Sequence, residues 1–155
     1  MAEPSDSDIR PGEVATTLPE GHDAGVFFIG RIRTPWTARR DCPRRGTEDG
    51  PECRIEIDPR WAEALTGIEA HARIQVLYWM HLSRRDLVLQ APGHGRTLIG
   101  PFALRSPVRP NPIASSVVRL ERVEGTTLVV RGLDCVDGTP LVDVKPERTA
   151  HAAPT

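Results

Sequence analysis

The feature that most restricts the fold of this chain is a proline-rich string at residues 105–112, which reads Arg-Ser-Pro-Val-Arg-Pro-Asn-Pro. Each of its three prolines holds φ at about −65° and removes a backbone donor. Each residue before a proline is pushed toward an extended conformation. Neither a helix nor a central strand accommodates this string, so we predict a stiff loop. A stiff loop carrying two arginines and an asparagine suits a preorganised polar site, but solvated arginines on a proline-rich turn are equally typical. Spacing alone leaves both interpretations open.

Length and composition predict a single soluble, cytoplasmic protein. A chain of 155 residues can bury one hydrophobic core and hardly two. No apolar run approaches the roughly 20 residues of a membrane span, and the acidic N-terminus lacks the apolar segment of a secretory signal. The three cysteines, Cys42, Cys53 and Cys135, include no Cys-x-x-Cys pair. We therefore expect neither a disulfide framework nor a metal site, and no membrane partner.

The overall charge of −1 is unevenly distributed along the chain. Residues 1–25 contain one base, Arg10, and six of the 21 acids, which leaves residues 26–155 with 15 acids, 19 bases and a net charge of about +4. The first 25 residues are also rich in small and turn-forming residues. We predict a disordered acidic leader over 1–25, a folded domain over 26–146 and a frayed tail over 147–155.

Arginines are concentrated in residues 31–45, where only Asp41 opposes them: Arg31, Arg33, Arg39, Arg40, Arg44 and Arg45. A planar guanidinium binds phosphate and carboxylate in a fork geometry, so the cluster favours an anionic partner, with RNA as a candidate. A general preference for arginine over lysine would explain the composition but not the clustering. The sequence leaves the two explanations open.

Short apolar or alternating runs dominate the remainder and predict a mainly β protein. Strands are expected over 26–32, 53–57, 72–80, 98–104, 117–123, 127–133 and 141–144. Asp58-Pro59 is typical of a helix start and predicts a short helix to about Leu65. Six or seven strands with one or two short helices indicate a small, partly closed antiparallel β-barrel. Helices do not alternate with strands, and no Gly-x-Gly-x-x-Gly string is present, so a Rossmann fold is disfavoured.

Three polar clusters lie at predicted strand ends or in loops: residues 41–46, His81, and residues 133–140. Each has an ordinary structural explanation, since Asp137-Gly138 is a common turn pair and a lone histidine often lies at a core boundary. Together with the proline loop, however, they could bind a ligand that carries both positive and negative charge.

These motifs resemble those of the TrmO (YaeB-like) family of tRNA methyltransferases. The resemblance rests on five strings that span residues 29–146: Ile29-Gly-Arg-Ile-Arg-Thr-Pro35, Cys42-Pro-Arg-Arg45, Leu77-Tyr-Trp-Met-His81, Gly100-Pro-Phe-Ala-Leu-Arg-Ser-Pro-Val-Arg-Pro-Asn-Pro-Ile113 and Leu133-Asp-Cys-Val-Asp-Gly-Thr-Pro-Leu-Val-Asp-Val-Lys-Pro146. It implies a small barrel that binds S-adenosylmethionine, forms a homodimer and methylates N6 of threonylcarbamoyladenosine at position 37 of tRNA. Arg45 and Ala114 stand where the family commonly has glutamine and glycine.

The resemblance also implies functional residues. The implied cofactor contacts are Pro43, Arg44, Arg45, His81, Leu82, Arg105, Val117, Asp134, Cys135, Val136 and Asp137. Asn111 is expected to orient the methyl acceptor and Asp137 to assist proton loss, while Arg109 would meet RNA phosphate or a partner subunit. Two alternatives remain. One is an S-adenosylmethionine-binding sensor or a methyltransferase for a small molecule or protein. The other, a non-enzymatic RNA-binding barrel, is less favoured because only Tyr78 and Trp79 cluster as aromatics.

Overall fold

The chain folds as two units, each made from two separate stretches of sequence. A computed structural model describes residues 9–95 and 97–148. One unit, here called the barrel unit, comprises Phe27–Trp79 and Ser115–Thr155. The other, here called the proline-loop unit, comprises Met1–Val26 and Met80–Ala114. Residues 80–114, predicted to lie within a continuous barrel domain, thus belong to the proline-loop unit.

The described residues contain eight strands, and six of them close into a barrel. The strands are β1 (Val14–Ala15), β2 (Gly30–Arg33), β3 (Cys53–Ile57), β4 (Arg73–Trp79), β5 (Leu87–Leu89), β6 (Ile113–Glu124), β7 (Thr127–Arg131) and β8 (Thr139–Pro146). The barrel order is β2-β3-β7-β6-β4-β8. Closure leaves no unpaired strand edge, which removes the main route to edge-to-edge association. The predicted mainly β antiparallel barrel is confirmed.

Alternation along the strands explains why they form a barrel around one core. In β3, Cys53, Ile55 and Ile57 are buried while Arg54 and Glu56 are exposed, as the period of two requires. The fully buried side chains that fill the barrel are branched: Ile32, Ile55, Ile74, Val76, Val118, Leu128, Val130, Leu133 and Leu141. The charged residues on the outside pair across strands, as between Arg54 and Glu124 at 2.9 Å. Such exposed pairs add little stability, so burial of the branched core holds the unit together.

The predicted helix start at Asp58-Pro59 is correct, although the helix is of the 3-10 type. The Asp58 side chain accepts a hydrogen bond from the Arg60 amide at 2.9 Å, and the helix runs over Pro59–Leu65. Its hydrogen bonds join residues three apart, as from Trp61 N to Asp58 O. The predicted hairpin turn is also present, because Gly125 has a φ of 62° between β6 and β7.

In the proline-loop unit, the predicted strand over 98–104 is wrong. Only Ile99 makes a β-bridge, to Gln90, and Pro101–Ala103 forms a 3-10 turn. The proline at 101 has no amide hydrogen to donate and its fixed φ suits the first position of such a turn. The sequence did not reveal the two strands of this unit, β1 and β5, which are only two and three residues long.

Residues 10–16 have a defined place in the proline-loop unit, which differs from the disordered leader expected from composition. Val14 and Ala15 pair with β5, the Arg10 guanidinium donates to Ala91 O at 2.8 Å, and Glu13 accepts from Ala91 N at 2.9 Å. The charged side chains of Arg10 and Glu13, which suggested a solvated tail, thus form hydrogen bonds with the backbone of the buried Ala91. Residues 1–8 and 149–155, predicted as parts of the leader and tail, lie outside the described residues. The domain boundaries at 25 and 146 stay a prediction.

Within residues 9–95 and 97–148, no helix is long and apolar enough to cross a membrane.

Because the thiols of Cys53 and Cys135 are buried, we expect the protein to lose stability at alkaline pH. Burial raises the pKa of Cys53 from its ordinary value of 9.0 to about 11, and that of Cys135 to about 12. Since both pKa values are raised in the folded state, the thiols favour folding fully below about pH 9. This contribution is lost between about pH 9 and 11 for Cys53 and between about pH 9 and 12 for Cys135. Each should cost about 1.4 kcal/mol per pH unit in that window.

Urea unfolding at pH 8, 9, 10 and 11 measures this loss. The free energy of unfolding should be nearly flat up to pH 9 and then fall, and Cys53→Ala should show a shallower fall. A free energy that stays constant up to pH 11 in the parent protein would contradict the prediction.

Candidate functional site

The loop that joins β7 to β8, residues 132–138, begins with a glycine that the backbone conformation requires. Gly132 has a φ of 120°, which side-chain-bearing residues rarely adopt. A Cβ atom there would lie 3.4 Å from Val118 Cα and 3.6 Å from Val117 O. The loop therefore leaves the barrel directly against Val117 and Val118 of β6, and Val117 is exposed beside it.

A second glycine holds the arginine-bearing segment against the same loop. A Cβ atom on Gly46 would lie 1.9 Å from Gly132 O and 2.8 Å from Leu133 O, so only glycine fits there. Residues 43–45 immediately precede this contact. The barrel unit thus brings together three parts of the predicted site: Pro43–Arg45, Val117 and residues 134–137. We call this place, where Gly46 meets Gly132, the glycine junction.

The carboxylate of Asp134, in the β7–β8 loop, is held by a chain of hydrogen bonds. Its Oδ1 accepts from the Tyr78 hydroxyl at 2.9 Å, and that hydroxyl lies 2.8 Å from Ser116 Oγ. Burial, together with the charge of Asp134, raises the pKa of Tyr78 above its ordinary value of 10.0, so the phenol stays a neutral donor. Asp134 itself is half-buried, between the buried Leu133 and Cys135.

Sequence reasoning did not assign Tyr78 or Ser116 to the site. A signal existed, since Tyr78 occupies an inward position of the alternating strand β4. A tyrosine hydroxyl inside a barrel needs a hydrogen-bond partner, and a polar group must therefore approach it from another element. The sequence does not say which element this is.

Asp137 ties the loop to the end of β2. Its Oδ1 accepts from Thr34 N at 3.1 Å, its own amide donates to Trp36 O at 2.7 Å, and Arg33 Nη1 lies 4.0 Å from Oδ2. Gly138 follows with a φ of 82° and donates to Ile32 O at 2.8 Å. The Asp-Gly pair therefore does form a tight turn, and its carboxylate helps to hold that turn in place.

Cys135 and Val136 take part through their main chains. Cys135 is buried, and its carbonyl accepts from Thr34 Oγ1 at 2.8 Å. The Val136 carbonyl accepts from Thr139 Oγ1 at 2.6 Å. These bonds fix the path of the loop between its two aspartates, so the positions of Asp134 and Asp137 are both set by the backbone.

The arginines of residues 31–45 divide into engaged and available groups. Arg31 donates to Gly138 O at 3.2 Å, and Arg33 pairs with Glu56 at 3.1 Å. Arg44 and Arg45 are exposed, and neither forms an ion pair within the part of the chain that the structure describes. Two guanidinium groups beside the glycine junction are therefore available to an anionic ligand.

Cys42 lies in the same segment but is not activated. Burial raises the pKa of its thiol, and the negative charges of Asp134 and Asp41 raise it further. The thiol is therefore protonated at neutral pH and is a poor nucleophile. Among the described residues, no group of three or more histidine, cysteine or acidic side chains is arranged to hold a metal ion.

The proline loop is stiffened by its own side chains. Arg109 Nη1 donates to Leu104 O at 3.1 Å and to Ser106 O at 3.0 Å, and the buried Gln90 donates to Val108 O at 3.3 Å. Nη1 of Arg109 is thus directed into the loop, and the expected contact of Arg109 with RNA phosphate or a partner subunit stays a prediction. Arg105 is exposed at the start of the loop.

Asn111 is presented at the end of this loop in a defined orientation. Its Oδ1 accepts from Arg85 Nη2 at 3.2 Å, while Arg85 Nε donates to Pro110 O at 2.5 Å. The next residue, Pro112, is buried and accepts from Met80 N at 2.8 Å. Because a guanidinium only donates, the amide oxygen of Asn111 must face Arg85, and its NH₂ group remains to donate elsewhere.

The predicted site residues are therefore divided between the two units. Pro43, Arg44, Arg45, Val117 and residues 134–137 belong to the barrel unit, and the segments that carry them adjoin the glycine junction. The remaining predicted residues belong to the proline-loop unit: His81, Leu82, Arg105 and Asn111. Leu82 is exposed and His81 is half-buried.

Comparison with known proteins connects this arrangement to a family. Residues 31–150 match the family model described as the tRNA-methyltransferase O N-terminal domain. The chain is 56% identical over 141 residues to the probable S-adenosyl-L-methionine-binding protein VirR of Rhizobium radiobacter, covering 91% of this chain and 81% of VirR.

Two further relatives are longer than the matched region. The tRNA (adenine(37)-N6)-methyltransferase of Escherichia coli strain K12 is 34% identical over 129 residues, covering 76% of this chain and 55% of that enzyme. The crystal structure of TrmO from Pseudomonas aeruginosa superimposes with a TM-score of 0.68 at 32% identity, covering 88% of this chain and 61% of that one.

Proposed function

This chain belongs to the tRNA-methyltransferase O family, and from that premise we propose that it methylates N6 of threonylcarbamoyladenosine at position 37 of tRNA, using S-adenosylmethionine. The family membership confirms the resemblance noted from the motifs. The observation that carries the proposal is the glycine junction, since it gathers the Pro-Arg-Arg, Val117 and Asp-Cys-Val-Asp segments on one side of the barrel unit.

The residues at the glycine junction suit the cofactor's functional groups. The Asp134 carboxylate can accept from the ribose hydroxyls or the ammonium group, and an exposed guanidinium of Arg44 or Arg45 can bind the carboxylate. Val117 offers an exposed apolar surface for a flat adenine ring. A carboxylate, a guanidinium group and an apolar surface on neighbouring segments therefore complement a hydrogen-bond donor, the carboxylate and the adenine ring of this cofactor.

The chain's contribution to the reaction is chiefly positioning. When bound, S-adenosylmethionine supplies a methyl group on a sulfonium, so transfer forms the N6–methyl bond, breaks the sulfur–methyl bond and releases the N6 proton. Holding an acceptor nitrogen in line with such a methyl group replaces an unfavourable encounter by a preorganised one. The proline loop is itself rigid, because its carbonyls are bound by Arg85, Gln90 and Arg109.

Asn111 acts in this scheme as a hydrogen-bond donor. Its NH₂ group points away from Arg85 and can donate to a carbonyl or ring nitrogen of the modified adenine, which fixes the rotation of the acceptor. It does not take up the N6 proton, because a carboxamide is not a base near neutral pH. Asp137 remains the proposed aid to proton loss through Oδ2, while its Oδ1 is occupied by Thr34 N.

A second candidate function is supported by how the relatives align. VirR and the probable S-adenosyl-L-methionine-binding protein of Methanothermobacter thermautotrophicus are each matched over more than four-fifths of their length. The tRNA methyltransferase of Escherichia coli is matched over 55%. Cofactor binding without methylation of tRNA, as in a sensor or an enzyme for another acceptor, is therefore the alternative. A homodimer and a cytoplasmic location also belong to the proposal.

Nucleoside mass spectrometry tests the proposed function. The purified protein is incubated with isotopically labelled S-adenosylmethionine and with tRNA that carries threonylcarbamoyladenosine at position 37. We expect labelled methyl on that nucleoside, and none on a matched tRNA that has unmodified adenosine at position 37. Calorimetry that shows cofactor binding, together with no methyl incorporation into either tRNA, would overturn the proposal and favour the sensor.

Replacing Asn111 with aspartate tests whether the NH₂ donor at this position is needed for methyl transfer. Asn111→Asp keeps an oxygen that Arg85 can bind but removes the NH₂ donor, so kcat should fall by about tenfold to a hundredfold. The Kd for S-adenosylmethionine should stay within about twofold of the parent value. Single-turnover methylation and calorimetry measure the two quantities.

Arg60→Ala serves as the control, since Arg60 is an exposed arginine on the 3-10 helix of the barrel unit. It should leave both quantities unchanged. If Asn111→Asp methylates tRNA as fast as the parent protein, the NH₂ donor is not needed and the donor assignment is wrong.

A further inference from the structure

Tyr78 places a hydroxyl group among the mostly apolar buried residues of the barrel unit. The residue lies on β4 at an inward position and is 2% exposed, yet its hydroxyl reaches both Ser116 on β6 and Asp134 on the β7–β8 loop. Three separate elements of the barrel unit therefore meet at one phenol oxygen. A buried hydroxyl needs such partners to offset the loss of its hydration.

The direction of the hydrogen bonds follows from the chemistry of the three groups. An ionised carboxylate only accepts, so the single Tyr78 proton is donated to Asp134 Oδ1. The phenol oxygen is then left to accept from the Ser116 hydroxyl. The result is a directed chain from Ser116 through Tyr78 to Asp134, with distances of 2.8 and 2.9 Å.

This hydrogen-bond chain constrains the Asp134 carboxylate more than the backbone alone could. Leu133 and Cys135, on either side of Asp134, are buried and hold its main chain, while Tyr78 holds Oδ1. The other oxygen, Oδ2, makes no hydrogen bond within residues 9–95 and 97–148. One oxygen of a half-buried carboxylate is thus fixed and the second is available to a ligand.

We propose that Tyr78, supported by Ser116, is a positioning residue that orients the Asp134 carboxylate to accept a hydrogen bond from the bound cofactor. The inference rests on the proposed function for the identity of the ligand. It deepens that function by naming the residue that sets the geometry of the cofactor contact. The cofactor group that Asp134 binds is a hydrogen-bond donor, supplied either by the ribose hydroxyls or by the ammonium group.

The Tyr78→Phe variant tests the inference by removing one hydroxyl while keeping the ring that fills the core. Calorimetry with S-adenosylhomocysteine as the probe should show a Kd raised by about tenfold, as expected for a lost hydrogen bond that orients a charged group. S-adenosylmethionine should lose affinity to the same extent, because both molecules carry the ribose and the ammonium group.

The probe 5′-methylthioadenosine, which lacks the ammonium group, distinguishes the two donors. If its affinity also falls in Tyr78→Phe, Asp134 binds the ribose hydroxyls. If its affinity is unchanged while that of S-adenosylhomocysteine falls, Asp134 binds the ammonium group. Both results support a positioning role.

A double-mutant cycle separates positioning from general support of the fold. In an Asp134→Asn background, Tyr78→Phe should have almost no further effect on the Kd, since the group that it orients has been changed. Gln75→Ala is the matched control: it removes a hydrogen bond between β4 and β6, from Gln75 to Ser115, that does not involve Asp134. This variant should bind the cofactor like the parent protein.

An unchanged Kd for S-adenosylhomocysteine in Tyr78→Phe would overturn the inference, and so would fully additive effects of Tyr78→Phe and Asp134→Asn. Failure of the proposed function gives a different result. In that case the parent protein would not methylate tRNA, although its cofactor affinity would still depend on Tyr78.

Discussion

The arrangement of the candidate site depends on the close approach of two backbones at Gly46 and Gly132. A Cβ atom on Gly46 would lie 1.9 Å from Gly132 O, which is far shorter than a van der Waals contact. The two backbone segments can therefore touch only because residue 46 has no side chain. Gly132 in turn crosses β6 at Val117 and Val118 with a φ of 120°. Segments that are far apart in sequence thereby become neighbours.

The closed barrel and the loops on it have different physical roles. The barrel is held by branched apolar side chains and has no free strand edges, so it forms a rigid support. The loops are held instead by directed hydrogen bonds, such as Tyr78 to Asp134 and Thr34 to Asp137. Packing sets the position of the loops, and hydrogen bonds set the orientation of their carboxylates, which is what binding a small charged cofactor requires.

Much of this architecture is predictable from sequence, and the limits have identifiable causes. Strand alternation and turn residues predicted the barrel strands, and the motifs predicted the family, because both are local patterns. The partners of Tyr78 and Asn111 were not predictable, since Asp134 and Arg85 are brought to them by the fold. The charges of residues 10–16 were misleading because composition describes solvation but not specific hydrogen bonds to buried backbone groups.

The central claim is that the cofactor binds at the glycine junction, and calorimetry of the Gly46→Ala variant tests it most directly. The added methyl group must displace Gly132 and Leu133, so the Kd for S-adenosylmethionine should rise at least about tenfold at a temperature where circular dichroism shows the variant folded. Gly25→Ala, whose Cβ atom would meet nothing within 4 Å, should bind like the parent protein. A folded Gly46→Ala variant with unchanged affinity would contradict the claim.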